Sequence, residues 1–409
     1  MNQTNHLSTQ LLLQLSKQYG NSFYLLDSRQ FKENYMELSR EFKSRYPHFN
    51  IAYSYKTNYI PKLLKLVNDL GGYAEVVSEM ELEAAQRVGV PAHNIIWNGP
   101  VKNAEKAEQL LADGGTVNMD SVSEWSLVKQ AAEKHPDRQI HAGIRCNFDI
   151  QDGTISRFGL DVESGDFRRI LNLIGEVPNI RLASLQSHFA KRTAEYWPKR
   201  AAGMIKIARM AGEVLGYIPD RIDLGGGIFG KMPQMLKKQL SSEASDYEAY
   251  AQAAASLVAR EFPDAAPELL IEPGTALAGD SMRFVCRVET IKTVRGKCFA
   301  TVSGSQKNIS MNGINPPLEV YPAEGERKWY ADLDIVGYTC IEADVLQKNF
   351  SGMVGVGDFL VFGNCGSYSI VMKPPFILPN VPVLDLCDGN VELIKRGESF
   401  DDLFRTFIF

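Results

Sequence analysis

The spacing of apolar and polar positions divides the chain into two parts. Between residues 28 and 280, short runs rich in β-branched and aromatic residues alternate with stretches that have the period of amphipathic helices. Eight such alternations predict an α/β fold, a (β/α)8 TIM barrel. An open doubly wound sheet would be favoured by GxGxxG after the first strand, and that motif is absent. The predicted strands are 51–55, 73–77, 95–98, 116–118, 140–147, 182–188, 221–224 and 269–272, and the predicted helices are 30–45, 61–70, 79–88, 103–112, 121–134, 165–175, 194–216 and 246–261.

After residue 281 the pattern predicts strands with Gly, Pro and Asn between them and hardly any helix. We expect a C-terminal β domain, a sandwich or barrel that the N-terminal strand joins. The predicted domains are the barrel, residues 28–280, and the β domain, residues 1–27 plus 281–409. The predicted β-domain strands are 22–27, 282–294, 297–303, 333–336, 357–363 and 391–396, and a short helix is predicted over 7–19.

Composition excludes several classes of protein. The 409 residues carry a formal net charge of −5 and no block of like charges, which does not favour nucleic-acid binding. Six scattered cysteines without CxxC pairs favour neither a disulfide framework nor a zinc site, so no metal is expected. No window of 18 apolar residues and no basic, apolar leader is present, so no membrane association and a cytoplasmic location are expected.

Three polar residues lie at the ends of predicted barrel strands, where barrel enzymes carry their chemistry. Lys56 follows strand 51–55, and burial there would cost several kcal/mol without a partner. Its amine becomes useful if it condenses with an aldehyde, although the side chain could instead reach solvent. Glu272 ends another strand, and a buried glutamate needs a cation or a protonated ring nitrogen. His188 is either an aromatic face of a site or a structural histidine.

A triple glycine, Gly225-Gly226-Gly227, follows the predicted strand 221–224. Backbone N–H groups without side chains can approach an anion, which is the geometry of a phosphate cradle. A tight turn is the alternative for these glycines. Together with Lys56, His188 and Glu272, a cradle would supply an amine nucleophile, an aromatic face, a phosphate site and an anion, which are the requirements of pyridoxal phosphate.

The motifs and their order resemble the group IV, fold-type III pyridoxal-phosphate decarboxylases, the family of diaminopimelate, ornithine and biosynthetic arginine decarboxylases. The resemblance covers nearly the whole chain. It rests on the opening strand 23–27, the Y-x-x-K-x-N signature at 53–58, Glu75 to Ser78, Arg145, Ser156 to Gly159, Ser187-His188, Asp223 to Gly227, Glu272-Pro273-Gly274, the C-x-x-x-D element at 340–344, and Gly366-Ser367-Tyr368.

This resemblance implies a role for each motif. Lys56 would hold pyridoxal 5'-phosphate as a Schiff base, and His188 would stack on its ring. Glu272 would keep the ring nitrogen protonated. The other cofactor-binding residues implied are Glu75, Ser78, Arg145, Gly225, Gly226, Gly227, Gly274 and Tyr368.

The resemblance also implies the reaction and the assembly. Alanine racemases share the barrel but place an arginine at the ring nitrogen, so Glu272 favours decarboxylation over racemisation. In the family, the cysteine that corresponds to Cys340 reaches the partner subunit's site and helps to reprotonate Cα, which implies a homodimer with shared active sites. A buried core thiol is the alternative for Cys340.

Departures from the family pattern bear on the substrate. Ile341 occupies the position of an acid that binds a distal amine in the family, and Ser303 replaces a second acid. Ile341 and Asp344 are therefore candidate substrate-binding residues. Lys191 and Arg192 follow the stacking histidine in place of a family serine. They could bind the cofactor phosphate, bind an anionic group of the substrate, or form a solvated loop pair.

The sequence thus predicts a decarboxylase that releases CO2 from the α-carboxylate of an amino acid or an amino-acid-derived biosynthetic intermediate. Loss of two acids predicts a substrate whose far end is neutral or acidic rather than a simple diamino acid. Three alternatives remain: an amino-acid racemase or epimerase on the same fold, a diaminopimelate- or lysine-type decarboxylase, and a non-catalytic cofactor-binding protein.

Overall fold

The computed structural model describes residues 7–241, 244–264, 266–310, 313–387 and 389–408. In chain order, the strands are β1 Phe23–Leu26, β2 Phe49–Ser54, β3 Tyr73–Val76, β4 Ile95–Trp97, β5 Thr116–Met119, β6 Ile140–Asn147, β7 Leu160–Asp161, β8 Ile180–Gln186, β9 Arg221–Asp223, β10 Glu268–Ile271, β11 Met282–Val294, β12 Lys297–Val302, β13 Leu318–Tyr321, β14 Arg327–Val336, β15 Val345–Gly355, β16 Phe359–Phe362, β17 Val383–Cys387 and β18 Asn390–Lys395. The α-helices are α1 Thr9–Tyr19, α2 Ser28–Lys43, α3 Pro61–Asp69, α4 Glu79–Arg87, α5 Ala104–Ala112, α6 Trp125–Lys134, α7 Gly165–Gly175, α8 Trp197–Leu215, α9 Gln234–Leu240, α10 Tyr247–Glu261, α11 Thr275–Ala278 and α12 Phe400–Phe404.

Eight parallel strands close into a barrel. Their order is β5-β4-β3-β2-β10-β9-β8-β6, and pairing between β5 and β6 completes the ring. The strands are almost entirely buried, because helices cover the outside and side chains fill the inside of such a barrel. The predicted fold class is therefore confirmed, including the absence of a doubly wound sheet in the region described.

Helix signals in the sequence set most of the helix boundaries. Ser78 lies just before α4 and its hydroxyl accepts a hydrogen bond from the Glu81 N–H, as an N-cap does. Pro61 opens α3, where a missing N–H has no cost. Gly216 ends α8 in the left-handed conformation, with φ of +79°.

The second sheet is mixed and has the order β15-β14-β12-β11-β1-β17-β18; β16 also pairs with β11, and β13 pairs with β16. β1 lies between β11, to which it is antiparallel, and β17, to which it is parallel. The N-terminal strand therefore joins the β domain, as the sequence predicts. The sequence interpretation missed β7, β13, β15 and β17.

The described chain divides into two compact units. One comprises Met1–Lys32, Gly230–Ser242 and Leu277–Phe409, and the other comprises Glu33–Phe229 and Glu243–Ala276. Gly230–Ser242, which the predicted domain boundaries place in the barrel, groups with the β unit. No helix in the described ranges is long and apolar enough to cross a membrane, and the cytoplasmic location stays a prediction.

Candidate active site

Lys56 lies in a single helical turn, Tyr55–Thr57, directly after β2. Its Nζ donates a 2.6 Å hydrogen bond to Oε2 of Glu75, and the Ser54 hydroxyl donates to the same oxygen at 2.7 Å. Ser54 and Glu75 pair across β2 and β3, so the register of the two strands sets this arrangement. Burial would raise the pKa of Glu75, but the Lys56 ammonium and the hydrogen bonds lower it. Glu75 is therefore an anion that holds the lysine amine in place.

A network of three side-chain amides surrounds Glu75 and a second buried carboxyl group, that of Glu272. Asn98 Nδ2 donates to Glu75 Oε1 at 3.1 Å and also to Glu272 Oε1. Asn118 supports Asn98 through a 2.5 Å bond to its Oδ1. Gln186 Nε2 donates to both oxygens of Glu272, at 3.1 and 3.2 Å. The sequence interpretation missed these amides, although polar residues in otherwise apolar barrel strands could have indicated them.

Glu272 follows β10, and its side chain is almost fully buried. Burial raises the pKa of Glu272 well above its usual value, and the neighbouring Asp223 and Glu75 charges raise it further. Burial likewise raises the pKa of Asp223 to about 7. A carboxyl group in this environment favours a partner that brings a proton or a positive charge to it.

His188 lies two residues beyond β8. Its Nδ1 accepts a 3.0 Å hydrogen bond from the Gly226 N–H and lies 3.9 Å from Glu272 Oε2. Burial lowers the pKa of His188 well below 6.5, and the positive charges of Lys56 and Arg200 lower it further. The ring is thus a neutral imidazole with its hydrogen on Nε2, because Nδ1 is the acceptor.

The glycine loop combines a tight turn with close backbone packing. A Cβ on Gly225 would lie 2.1 Å from the Ser187 carbonyl oxygen, and one on Gly226 would lie 2.5 Å from the Glu272 carbonyl oxygen. Gly227 has φ of +99°, which disfavours other residues. The two alternatives for these glycines, a tight turn and a phosphate cradle, are therefore compatible. The turn brings backbone without side chains beside His188 and Glu272.

The remaining predicted barrel residues have visible structural contacts. Arg145, on β6, lies 3.6 Å from Asp120 and packs over the Phe158 ring at 4.6 Å. Ser78 caps α4, so its hydroxyl oxygen already has a donor. A Cβ on Gly274 would lie 1.9 Å from Thr57 Oγ1, so only glycine fits beside the lysine turn.

Lys191 and Arg192 differ in their surroundings. Lys191 is exposed, as a solvated loop residue would be. The Arg192 guanidinium packs 4.3 Å above the Phe229 ring, and its Nη2 donates to the Ile228 carbonyl at 3.3 Å. The solvated interpretation therefore fits Lys191 but does not fit Arg192, which lies next to the glycine loop.

Four of the predicted site residues belong to the β unit. Cys340 is exposed, so the buried-core-thiol alternative is wrong. Ile341 is 47% exposed and lies in the same turn between β14 and β15. Tyr368 is 37% exposed. These three side chains are available to a ligand or to another chain.

Asp344 is the fourth of these residues, and it is buried. Its carboxylate accepts hydrogen bonds from the Ser305 hydroxyl at 2.9 Å, the Gln306 N–H at 2.7 Å and the Thr339 hydroxyl at 2.6 Å. These contacts fasten the turn that carries Cys340 and Ile341. The structure gives Asp344 this fastening role, and its contact with substrate stays a prediction.

The residues at the centre of the barrel fit pyridoxal phosphate. Lys56 offers an amine on a side chain that is 36% exposed, and the glycine loop offers a backbone cradle whose close packing leaves no room for a Cβ at Gly225 or Gly226. Glu272 offers a carboxyl group suited to a protonated ring nitrogen. A (β/α)8 barrel with this set at the C-terminal ends of its strands defines the class of barrel enzymes that use pyridoxal phosphate.

Comparison with known proteins gives the family. The profile described as "Pyridoxal-dependent decarboxylase, pyridoxal binding domain" matches residues 32–279. The diaminopimelate decarboxylase of Aquifex aeolicus is 23% identical over 406 residues, which cover 95% of this chain and 92% of that protein. That of Campylobacter jejuni is 26% identical and covers 95% of this chain and 96% of its own. The chain therefore belongs to the pyridoxal-dependent decarboxylases.

Solved structures share the fold over nearly the whole length. The crystal structure of diaminopimelate decarboxylase from M. jannaschii has a TM-score of 0.85 at 22% identity and covers 97% of this chain and 94% of its own. The Helicobacter pylori enzyme complexed with L-lysine has a TM-score of 0.82 at 21% identity, with 96% and 98% covered. The predicted family, fold, cofactor and carboxy-lyase activity are confirmed.

Proposed function

We propose that this pyridoxal-phosphate decarboxylase acts on a diamino acid of the diaminopimelate or lysine type. The support is that curated relatives over 95% of the chain are diaminopimelate decarboxylases, and that similar solved structures hold L-lysine. The prediction of a substrate with a neutral or acidic far end is not confirmed, and these relatives favour the alternative.

The observation that carries decarboxylation is the network that joins Lys56 to Glu272. Glu75 holds the lysine amine, and Asn98 donates to both Glu75 and Glu272. When bound, the cofactor supplies an aldehyde for an amine and an electron-withdrawing ring. Glu272 is the group in this network that would accept a hydrogen bond from a protonated ring nitrogen, because a positive charge there would relieve the repulsion from Asp223 and Glu75 that raises the pKa of Glu272.

The other residues hold the His188 ring and the Lys56 amine in position. The neutral His188 ring, fixed by the Gly226 N–H, offers an uncharged aromatic face. Glu75 remains an anion and accepts the hydrogen bond of the Lys56 ammonium whenever that amine is released. Asn98 donates to both carboxyl groups and so keeps their positions fixed relative to each other.

A second candidate is a substrate with an uncharged or acidic far end. One observation favours it: Ile341 is 47% exposed in the turn that carries Cys340, at the position where the family has an acid. An apolar side chain there offers no counter-charge to a distal ammonium. Two substrate classes are thus in competition, and activity can separate them.

We also propose a homodimer in which each subunit supplies Cys340 to the site of the other. The support is the family membership and the exposure of Cys340, Ile341 and Tyr368 on the β unit. A thiol at that position would return a proton to the substrate carbon after CO2 leaves.

The experiment is a panel of amino acids assayed for CO2 release and for loss of optical activity by the cofactor-loaded enzyme. Turnover of meso-diaminopimelate or L-lysine in preference to amino acids with neutral or acidic far ends supports the first candidate. The opposite preference supports the second. Loss of optical activity without CO2 would contradict decarboxylation and favour a racemase.

The variant Ile341→Glu sharpens the comparison. If the wild type prefers an uncharged far end, the new carboxylate should shift the preference toward diamino acids by about tenfold or more. Ile155→Glu is the matched control, because Ile155 is fully exposed on the barrel unit. A shift that the control reproduces would count against a role for position 341.

A further inference from the structure

Arg200, on α8, is completely buried, and all of its hydrogen-bond acceptors among the described residues are backbone carbonyl groups. Nη1 donates to the Gly226 carbonyl at 2.7 Å. Nη2 donates to the Phe189 carbonyl at 3.2 Å and to the Lys191 carbonyl. One side chain therefore fastens two segments, the glycine loop and the loop that follows His188.

This arginine has no carboxylate partner within ion-pair distance in the described part of the chain, and its buried Nε has no hydrogen-bond partner there. The guanidinium packs 4.8 Å from the Trp197 ring and 5.5 Å from the Phe189 ring. Burial lowers the pKa of Arg200 to about 10, so the group is charged at neutral pH. Asp152 raises the pKa of Arg200 from beyond ion-pair distance. A buried charge with no carboxylate in contact is costly, and an anion bound nearby would offset that cost.

The position of Arg200 indicates where such an anion would lie. The guanidinium lies behind the glycine loop, since a Cβ built on Gly227 would be 3.6 Å from its Nη2. The peptide between Gly226 and Gly227 points its carbonyl at Arg200, so the Gly227 N–H points away from Arg200, because a trans peptide holds the two groups in opposite directions. That N–H has no acceptor among the described residues. It is an available donor on the side opposite to the charge.

We propose that Arg200 is a positioning residue for the phosphate group of the cofactor. It locks the Gly226–Gly227 peptide with the N–H directed outward, and it places a positive charge behind the loop. Arg200 is too deeply buried to contact the phosphate itself, so it acts through the glycine backbone and through its field. This role rests on cofactor binding and not on the identity of the substrate.

The test compares two ligands that differ only in the phosphate. Pyridoxal phosphate and pyridoxal are titrated into cofactor-free wild type and Arg200→Gln, and binding is followed by absorbance. The variant should bind pyridoxal phosphate about tenfold to a hundredfold more weakly than wild type, because a charged donor to the loop is lost. The affinity for pyridoxal should change by no more than about threefold, because pyridoxal has no phosphate group.

The matched control is Arg209→Gln, which removes the same charge from the same helix. Arg209 is exposed and pairs with Glu261 at 3.1 Å. Both ligands should bind this variant as they bind the wild type. Equal weakening of both ligands by Arg200→Gln, or no weakening of either, would overturn the proposal.

Arg200→Lys keeps the test decisive if the glutamine variant does not fold, as judged by circular dichroism. Lysine retains the charge but cannot reach all three carbonyls. The affinity for pyridoxal phosphate should therefore fall by about threefold to tenfold, and the affinity for pyridoxal should not fall. An unchanged preference for the phosphorylated ligand would contradict the positioning role. Wild type that binds neither ligand would contradict the cofactor assignment and, with it, this role.

Discussion

Three carboxyl groups are buried at the barrel centre, and their environments differ. The Lys56 ammonium and hydrogen bonds outweigh burial and lower the pKa of Glu75. Burial, with Glu75 and Asp223 as neighbouring charges, raises the pKa of Glu272. One carboxyl group is therefore held as an anion beside the amine, and another is held where it can keep a proton.

Glu272 should make the cofactor-free protein less stable as the pH rises. A raised pKa means that the folded state binds a proton more tightly than the unfolded state, so this stabilisation is present below the unfolded pKa of about 4.3 and is lost as the pH rises towards the folded value. Relative to wild type, Glu272→Gln should therefore gain up to about 1.4 kcal/mol per pH unit above pH 5. Urea unfolding of cofactor-free protein at pH 5, 6 and 7 measures this gain.

The control for this prediction is Glu213→Gln, an exposed position on α8, which should show no such trend. A difference in unfolding free energy between Glu272→Gln and wild type that is the same at every pH would contradict the raised pKa of Glu272.

Glu272→Gln should also lower the rate of decarboxylation by about a hundredfold or more, because a neutral glutamine cannot stabilise a proton on the ring nitrogen. Steady-state CO2 release measures that loss.

At the residue scale, sequence patterns indicated the groups that stand out chemically and missed those that support them. Lys56 and Glu272 are conspicuous because charged residues at the ends of buried strands are unusual. Asn98, Gln186 and Arg200 are not conspicuous, since their roles depend on neighbours from other strands and loops. Such contacts between distant segments exist only after the barrel closes.

The glycine loop is the element on which the site depends. Its backbone packs against the Ser187 and Glu272 carbonyl groups at distances that exclude a side chain. Gly226→Ala should therefore destabilise the protein by about 1–3 kcal/mol, because the new Cβ would lie 2.5 Å from the Glu272 oxygen. It should also weaken cofactor binding. Thermal unfolding and cofactor titration measure the two effects.

Gly165→Ala is the matched control for the loop. Gly165 is the first residue of α7, and a Cβ there would meet nothing within 4 Å. Alanine should leave cofactor binding unchanged and should stabilise the protein by up to about 1 kcal/mol, because it restricts the unfolded chain. Similar losses of stability and of cofactor binding in Gly226→Ala and Gly165→Ala would contradict the requirement for glycine in the loop.

Element prediction succeeded where periodicity was strong. Strand β6 and helix α7 have the predicted bounds, since each lies in a long run of one period. β15 was missed because its sequence contains Lys, Asn and Gly and is only partly buried, so pairing with β14 and not local preference makes it a strand. β17 is short and follows prolines, which mask its signal.

At the scale of the whole molecule, the proposed shared sites predict complementation between two inactive variants. Lys56→Ala and Cys340→Ala should each have little activity alone. After mixing and subunit exchange, half of the dimers are mixed, and one of the two sites in each is intact, so about a quarter of wild-type activity should return. CO2 release before and after mixing measures the recovery.

The control mixes Lys56→Ala with Glu272→Gln. Both residues belong to the barrel unit, so each site in a mixed dimer keeps one defect and no activity should return. No recovery with Cys340→Ala, in a preparation that size-exclusion chromatography shows to be dimeric, would contradict the contribution of Cys340 to the partner's site.

The most direct measurement asks whether the Lys56 amine bonds covalently to the cofactor. The purified, cofactor-loaded protein is reduced with borohydride, digested with protease and analysed by mass spectrometry. We predict one modified peptide, which carries the added mass of the reduced cofactor on Lys56, and no such peptide from Lys56→Ala. A label on a different lysine, or no label on a protein that binds the cofactor, would contradict the account.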